Sequence, residues 1–185
     1  MDCYVDVRIV KDPEFGSNQI LSVVFSKLHI ALVKIKSTGI GVSFPNESSK
    51  GLGDHLRLHG SRDSLAQLLN TAWLAGLKDH VKVTEISERP QGCKFRAVRR
   101  AQAKSSPERL RRRAMRRHGL DEKAVAERIP DAVAESLDLP YIRMASSSTQ
   151  QPFRLFVRHG PVVDSEVGGQ FSTYGLSYLA TIPWF

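Results

Sequence analysis

Two hydrophobic periods alternate through the first half of the chain, and their order leaves few ways to fold it. Val5, Val7 and Ile9 occupy every second position between polar residues, the period of a half-buried strand. From Ser17, a residue suited to cap a helix, Ile20, Leu21, Val24, Phe25, Leu28 and Leu32 return at spacings of three and four. Ile40, Val42 and Phe44 form a second strand that stops at Pro45. A polar loop rich in Asn, Ser, Lys and Gly follows, and His55-Leu56-Arg57-Leu58-His59 returns as a third. Ser61 caps a second helix carrying Leu65, Leu68 and Leu69, and Val81, Val83 and Ile86 make a fourth strand. Strand, helix, strand, strand, helix, strand is the order of the ferredoxin-like fold, which hosts many functions and by itself names none.

Arg89-Pro90-Gln91-Gly92 interrupts this pattern, and the composition changes beyond it. The boundary belongs there: an α+β chain with a ferredoxin-like (βαββαβ) domain over 1–91 and a C-terminal α/β domain over 92–185. Phe95, Ala97 and Val98 open an extended stretch. A helix is expected at about 107–118 and another from about Asp121, interrupted near Pro130; short strands follow at 141–144 and 153–157. Gly168-Gly169 marks a turn before the final Pro183-Trp184-Phe185. Cys3 and Cys93 are the only cysteines, with no CxxC pair, so neither a disulfide framework nor a structural zinc site is indicated. No apolar run approaches the roughly 20 residues of a membrane span, and the chain opens on a strand instead of a signal peptide. A soluble, cytoplasmic protein with no membrane partner is expected.

The charge is concentrated. Residues 94–118 carry eleven Lys and Arg against the single acid Glu108, a net +10, so the other 160 residues sum to −2 of the total +8. A generally sticky basic protein spreads its charge, whereas one basic segment is the electrostatic footprint of a nucleic-acid site.

Within that segment, Ser105-Ser106-Pro107-Glu108 starts a helix: serine to cap it, proline where a missing N–H costs nothing, and glutamate in the first turn. His118-Gly119 ends it. Arg109, Arg112, Arg113, Arg116 and Arg117 fall at i, i+3, i+4, i+7 and i+8, on the face where a hydrophobic stripe normally lies. Leu110 and Ala114, with Met115 beside them, lie opposite and can dock the helix. A solvated face interleaves acids with its bases. Six arginines between 109 and 117 with no acid among them repel until a polyanion neutralises them. Arginine throughout also favours bidentate recognition of phosphates and guanine edges.

A-form RNA has a major groove too deep and narrow to read along a regular duplex, so a short stem-loop suits this helix best. Arg100 and Gln102 stand two apart in extended chain and point the same way. Arginine matches guanine O6 and N7, and glutamine matches adenine N6 and N7, so the pair is a candidate base reader beside the plainer reading of two solvated polar residues. A helix-turn-helix protein is the DNA-binding alternative, since Gly119 joins two helices by a short turn. Arginine fills the whole face of the first helix and no distinct recognition helix follows, so DNA is not expected as a direct partner.

The run from Gln102 to His118 resembles the CRISPR repeat-processing endoribonuclease of type I-F systems. So do the Met1-Asp2 opening strand, Phe25-Ser26-Lys27-Leu28-His29, Gly41-Val42-Ser43-Phe44-Pro45, the 132–140 segment, Phe153 to Gly160, Tyr174-Gly175-Leu176-Ser177 and the Pro-Trp-Phe end. These motifs keep their order and spacing over essentially the whole chain. The resemblance implies a metal-independent cut at the 3′ base of a short repeat hairpin, no cofactor, and a product that stays bound. It implies as partners the precursor and mature CRISPR RNA and other subunits of a type I-F surveillance complex. By the same resemblance His29 is the general base on the ribose 2′-OH, Ser146 holds that hydroxyl and Tyr174 orients the imidazole. Ser146 is chosen from the run Ser146-Ser147-Ser148 by counting back from Phe153. Arg100 and Gln102 match base readers, Arg112, Arg113, Arg116, Arg117 and His118 match phosphate and groove contacts, and Phe153 matches an aromatic that stacks on the terminal pair. Lys104, Arg109, Ser148 and Thr149 complete the expected RNA-binding set.

Read by itself, His29 lies beside the apolar stripe of the first helix, where a histidine can equally be structural. The chemistry nonetheless suits it. Imidazole, with a reference pKa near 6.5, accepts a hydroxyl proton at neutral pH, and RNA supplies its own nucleophile. The expected products are a 2′,3′-cyclic phosphate and a 5′-OH. A non-catalytic RNA-binding subunit of a ribonucleoprotein remains the alternative on the residues alone. Metal chelation by His55 and His59 is not expected, since on a strand they stand about 13 Å apart.

Overall fold

Cys3, Val5, Val7 and Ile9 all turn inward along β1 (Cys3–Ile9), which is the middle of a sheet and must bury one face completely. The computed structural model describes residues 1–102, 107–119, 121–129, 137–146 and 149–185, with the backbone alone at 107–109. β1 pairs antiparallel with β3 (His55–Gly60), bringing Val5 opposite Leu58 and Val7 opposite Leu56. β2 (Gly41–Ser43) flanks β3 and β4 (Val81–Val83) flanks β1, giving the order β2-β3-β1-β4. The fourth strand is shorter than its apolar pattern suggested. After Val83 the chain leaves the ladder, and β5 (Ser87–Glu88) rejoins β1 with the register slipped by one residue, a bulge that carries Ile86 off the strand.

Helix α1 (Ser17–Lys34) buries Ile20, Leu21, Val24, Phe25, Leu28, Ala31 and Leu32. Its cap is Gly16, not Ser17. Gly16 is extended and its N–H donates to Gln19 Oε1 at 3.0 Å, so the first turn is closed from within and Ser17 becomes helical. Ser61 does cap α2 (Arg62–Leu69), its Oγ accepting from Ser64 N. A second sheet has the order β7-β8-β6-β9, from β6 (Lys94–Ala101), β7 (Tyr141–Ala145), β8 (Pro152–Val163) and β9 (Ile182–Trp184). β8 runs well past the expected 153–157. The molecule is thus mixed α/β with two antiparallel sheets, and the sheets change between Glu88 and Lys94. By compactness the chain divides differently, into residues 1–100 with 139–185 and a separate unit of 101–138.

In the larger unit, α1 packs across β7, and one apolar core joins both sheets, including Val98, Ile142, Leu155, Val157, Phe171 and Ile182. Gly41 permits this closeness: a Cβ there would sit 2.5 Å from Ile182 Cγ2. Asp6 and Arg57 face each other across β1 and β3 and are both buried. Arg57 donates to Asp6 through Nε (2.6 Å) and Nη2 (3.1 Å), and through Nη1 to the Phe185 carbonyl oxygen. Burial raises the Asp6 carboxyl, but the Arg57 and His55 contacts outweigh it and hold the group below the usual carboxylate range. His55 Nε2 lies 2.9 Å from Asp6 Oδ1 and His59 Nε2 is 2.8 Å from Ser43 Oγ, so each histidine of β3 serves its own neighbour.

The smaller unit holds α3 (Pro107–His118) and α4 (Glu122–Arg128). Gly119, at φ 60°, ends α3 by donating to the Met115 carbonyl, and Asp121 caps α4 through the Ala124 N–H. The two helices pack together, with Val125 buried and Arg111 Nε donating to the Ile129 carbonyl. Among the described residues no helix is long and apolar enough to cross a membrane.

Candidate RNA-cleavage site and RNA-binding helix

His29 lies on α1 one residue after buried Leu28 and four after buried Phe25, at the border of the helix's apolar stripe, and is itself half-buried. Its Nδ1 is 2.9 Å from the backbone carbonyl oxygen of Thr173. A carbonyl only accepts, so this contact places the imidazole proton on Nδ1 and leaves Nε2 as the basic nitrogen. The Tyr174 ring stacks on the imidazole at 4.1 Å between centroids and 11° between planes. The two contacts fix the ring both along its edge and across its face.

The segment that delivers them is tightly turned. Gly175 N donates to the Ser172 carbonyl, and Ser172 N to that of Leu176. Gly175 has φ +68° and accepts from Val42 N, and a Cβ there would approach Val42 Cγ1 to 2.6 Å. Only glycine meets both demands. Phe171, just upstream, is buried and donates its N–H to Thr38 O.

Ser146 stands at the tip of the β7–β8 hairpin. Its N–H donates to Gln151 O, its carbonyl accepts from Gln150 N, and its Oγ accepts from Thr149 N at 3.3 Å. Gln150 makes the turn at φ 55°. Phe153 follows on β8 with the Arg100 guanidinium 5.7 Å from its ring centroid. Arg100 Nε is buried without a hydrogen-bond partner among the described residues, a donor the fold leaves for something else to satisfy.

These side chains meet. His29, Arg100, Ser146, Thr149, Phe153 and Tyr174, together with Ala145, Gln151 and Pro152, line one cavity of about 390 Å³. The cavity thus combines a base nitrogen, a hydroxyl, a guanidinium and an aromatic ring, the groups needed to bind a nucleotide and remove a proton from it. Among the described residues, no group of three or more His, Cys, Asp or Glu side chains could hold a metal ion.

Most of the other expected residues belong to the smaller unit. Gln102 is exposed just beyond the end of β6. Arg112, Arg113, Arg116, Arg117 and His118 are exposed along α3, while Leu110 and Ala114 are half-buried, as the docking face requires. Met115 is 38% exposed and so belongs only partly to that face, and half-buried Arg111 turns toward α4. Lys104 and Ser148 lie outside the described residues, as does the side chain of Arg109. The residue that sequence reasoning missed is Thr173. It acts through its carbonyl, which every residue has, so no side-chain signal could single it out.

The model for the family described as CRISPR-associated protein (Cas_Csy4) matches residues 4–185. The CRISPR-associated endonuclease Cas6/Csy4 of Pseudomonas aeruginosa (strain UCBPP-PA14) is 53% identical over 188 residues, covering 100% of each chain. The CRISPR-associated endonuclease Cas6/Csy4 of Escherichia coli (strain UTI89 / UPEC) is 42% identical over 185 residues, again covering 100% of each. Among solved structures, an RAMP protein binding different RNA substrates aligns over 98% of this chain and 99% of that one. At 14% identity and a TM-score of 0.33 that likeness carries no argument.

Proposed function

The chain belongs to the Csy4 family of CRISPR-associated proteins, and from this we propose that it is an endoribonuclease that cuts CRISPR repeat RNA at the 3′ base of a short stem-loop. The observation that carries the reading is the His29 imidazole, with Nδ1 on the Thr173 carbonyl and Tyr174 on its face, in a cavity that also holds Ser146, Arg100 and Phe153. Nε2 removes the proton from the ribose 2′-OH, which Ser146 holds. The 2′ oxygen attacks the adjacent phosphorus, the bond to the 5′ oxygen breaks, and that oxygen takes a proton from solvent water and leaves as a hydroxyl, while the imidazolium returns its proton to solvent. The products are a 2′,3′-cyclic phosphate and a 5′-OH. No metal is needed, because the nucleophile belongs to the RNA and imidazole takes its proton.

Phe153 stacks on the terminal pair, and Arg100 and Gln102 read bases near the foot of the stem. Arg112, Arg113, Arg116, Arg117 and His118 grip the phosphates and groove, joined by Lys104, Arg109, Ser148 and Thr149. Retention of the cut RNA and membership of a type I-F surveillance complex in the cytoplasm belong to the same reading. The strand order β2-β3-β1-β4, with α1 and α2 as crossovers, supports a ferredoxin-like arrangement for the N-terminal region.

The test is a repeat hairpin with a 2′-deoxy sugar just 5′ of the cut. It should bind like the native RNA and stay intact, while the native RNA is cut equally with and without EDTA. Cleavage of the deoxy substrate would exclude 2′-OH attack, and loss of native cleavage in EDTA would exclude the metal-free route.

A further inference from the structure

The outer face of the β7–β8 hairpin carries charge that no acid among the described residues balances. Across this pair Tyr141 stands opposite Phe156, Arg143 opposite Arg154, and Ala145 opposite Pro152. Ile142, Met144, Leu155 and Val157 are buried on the inner face, so these three pairs share the outer face with Arg158. Like charges directly opposite on paired strands repel. Among the described residues no carboxylate pairs with Arg143 or Arg154. Both are exposed, as is Arg158, and none of the three forms an ion pair among the described residues. The sequence from 139 to 163 contains no Asp or Glu at all.

Aromatic rings interleave with these cations. Tyr141 and Phe156 meet edge to face at 5.5 Å and 60°, and the Arg154 guanidinium lies 4.8 Å from the Tyr141 ring centroid. Arginines for phosphates beside rings for bases are the makings of a single-strand platform. The strip also has an origin. Ala145 and Pro152, at one end, line the cavity that holds His29. From Pro152 to Arg158 it runs about 20 Å, at roughly 3.3 Å per residue.

We infer that this face is a second RNA-binding surface, which takes a single-stranded segment flanking the stem-loop and leads it away from the cavity. The inference rests on reading that cavity as the cleavage site. An acidic protein surface would also neutralise the arginines, but rings set among them, on a track that begins at the cavity, favour nucleobases.

The test compares three RNAs that carry a 2′-deoxy sugar at the cut, so that no flank is removed: the bare stem-loop, and the stem-loop with about ten uridines on its 5′ or its 3′ side, a length within single-strand site sizes. At least one flanked RNA should bind several-fold more tightly than the bare one. Its salt dependence should be steeper by about 0.7 log units for each further phosphate neutralised. In an R143A/R154A/R158A variant that gain should vanish, while binding and cleavage of the bare native hairpin stay at wild-type level, which also shows that the variant folds. The proposal fails if neither flank tightens binding, if the gain survives in the variant, or if the variant weakens bare and flanked RNAs alike. It fails too if the three arginines matter only for binding an acidic protein. Absence of any binding or cleavage of the bare stem-loop by the wild type would instead remove the cleavage reading, and this surface with it.

Discussion

His29 Nδ1 and the Thr173 carbonyl oxygen, 144 residues apart in sequence, lie 2.9 Å apart in the fold. The contact decides which imidazole nitrogen carries the proton and therefore which one can take another. A histidine left to itself exchanges between the two tautomers, and only one presents Nε2 as a base.

Replacing His29 with Ala should lower cleavage of the repeat hairpin by about 10²- to 10⁴-fold, the range for loss of a positioned general base. Affinity for the hairpin should change little, since the groups proposed to grip the phosphates lie on other residues. Single-turnover cleavage with parallel filter binding measures both. An unchanged cleavage rate would return the chain to the reading of a non-catalytic RNA-binding subunit.

Gly175→Ala meets two penalties, a left-handed φ of +68° and a Cβ 2.6 Å from Val42 Cγ1. It should cost more than about 1 kcal/mol in denaturant unfolding. Because Thr173 and Tyr174 sit on the same turn, cleavage should fall further than hairpin affinity does. Gly92→Ala is the control: φ is +70°, but nothing lies within 4 Å. It should lose stability through backbone strain alone and keep its rate.

The exposed arginines of α3 should appear in the salt dependence of binding. An Arg112→Ala/Arg116→Ala variant should flatten the plot of log affinity against log salt by about 0.7 to 0.9 for each phosphate left without its arginine. An unaltered slope would mean that these side chains do not neutralise phosphates.

Acid should destabilise the protein through His59. Burial first, and then the Arg57 charge, hold its folded pKa down to about 3, against 6.5 for an exposed imidazole. Below pH 6.5 the unfolded chain therefore takes up a proton that the folded one refuses, so stability falls as pH drops from 6.5 toward 3. The slope from this group is at most about 1.4 kcal/mol per pH unit. At His159, lowered to about 4 by burial and then by Arg96, the effect is partly offset, since burial shifts the adjacent Glu47 carboxyl upward. Urea midpoints at pH 7 and pH 5 should differ less in His59→Gln than in the wild type. Equal differences would locate the acid sensitivity elsewhere.

What could be read in the sequence is what local spacing encodes. The apolar stripe of α1 and the basic face of α3 are periodic, and both stand where the spacing puts them. Ser17 misled, because Gln19 closes the first turn onto Gly16 and removes the need for a serine cap. The end of β8 was hidden because Arg158, His159 and Gly160 continue the strand without a hydrophobic run to announce it. The cavity has no local signature. His29, Arg100, Ser146 and Tyr174 become neighbours only when α1 packs across β7 and the 171–176 turn joins β2, and family resemblance is what named them beforehand.

The separation of His29 from Thr173 also sets a clock during synthesis. His29 leaves the ribosome early, and the 144 residues that follow take roughly 7 to 29 s to add at about 5 to 20 residues per second. From about residue 117 to residue 173 the arginines of α3 have already been made and can attract RNA, yet the imidazole still has no carbonyl to set its tautomer and no ring at its face. On the proposed roles of α3 and His29, an incomplete chain would hold RNA before it could cut it, and the capacity to cleave would arrive with one of the last turns to be translated.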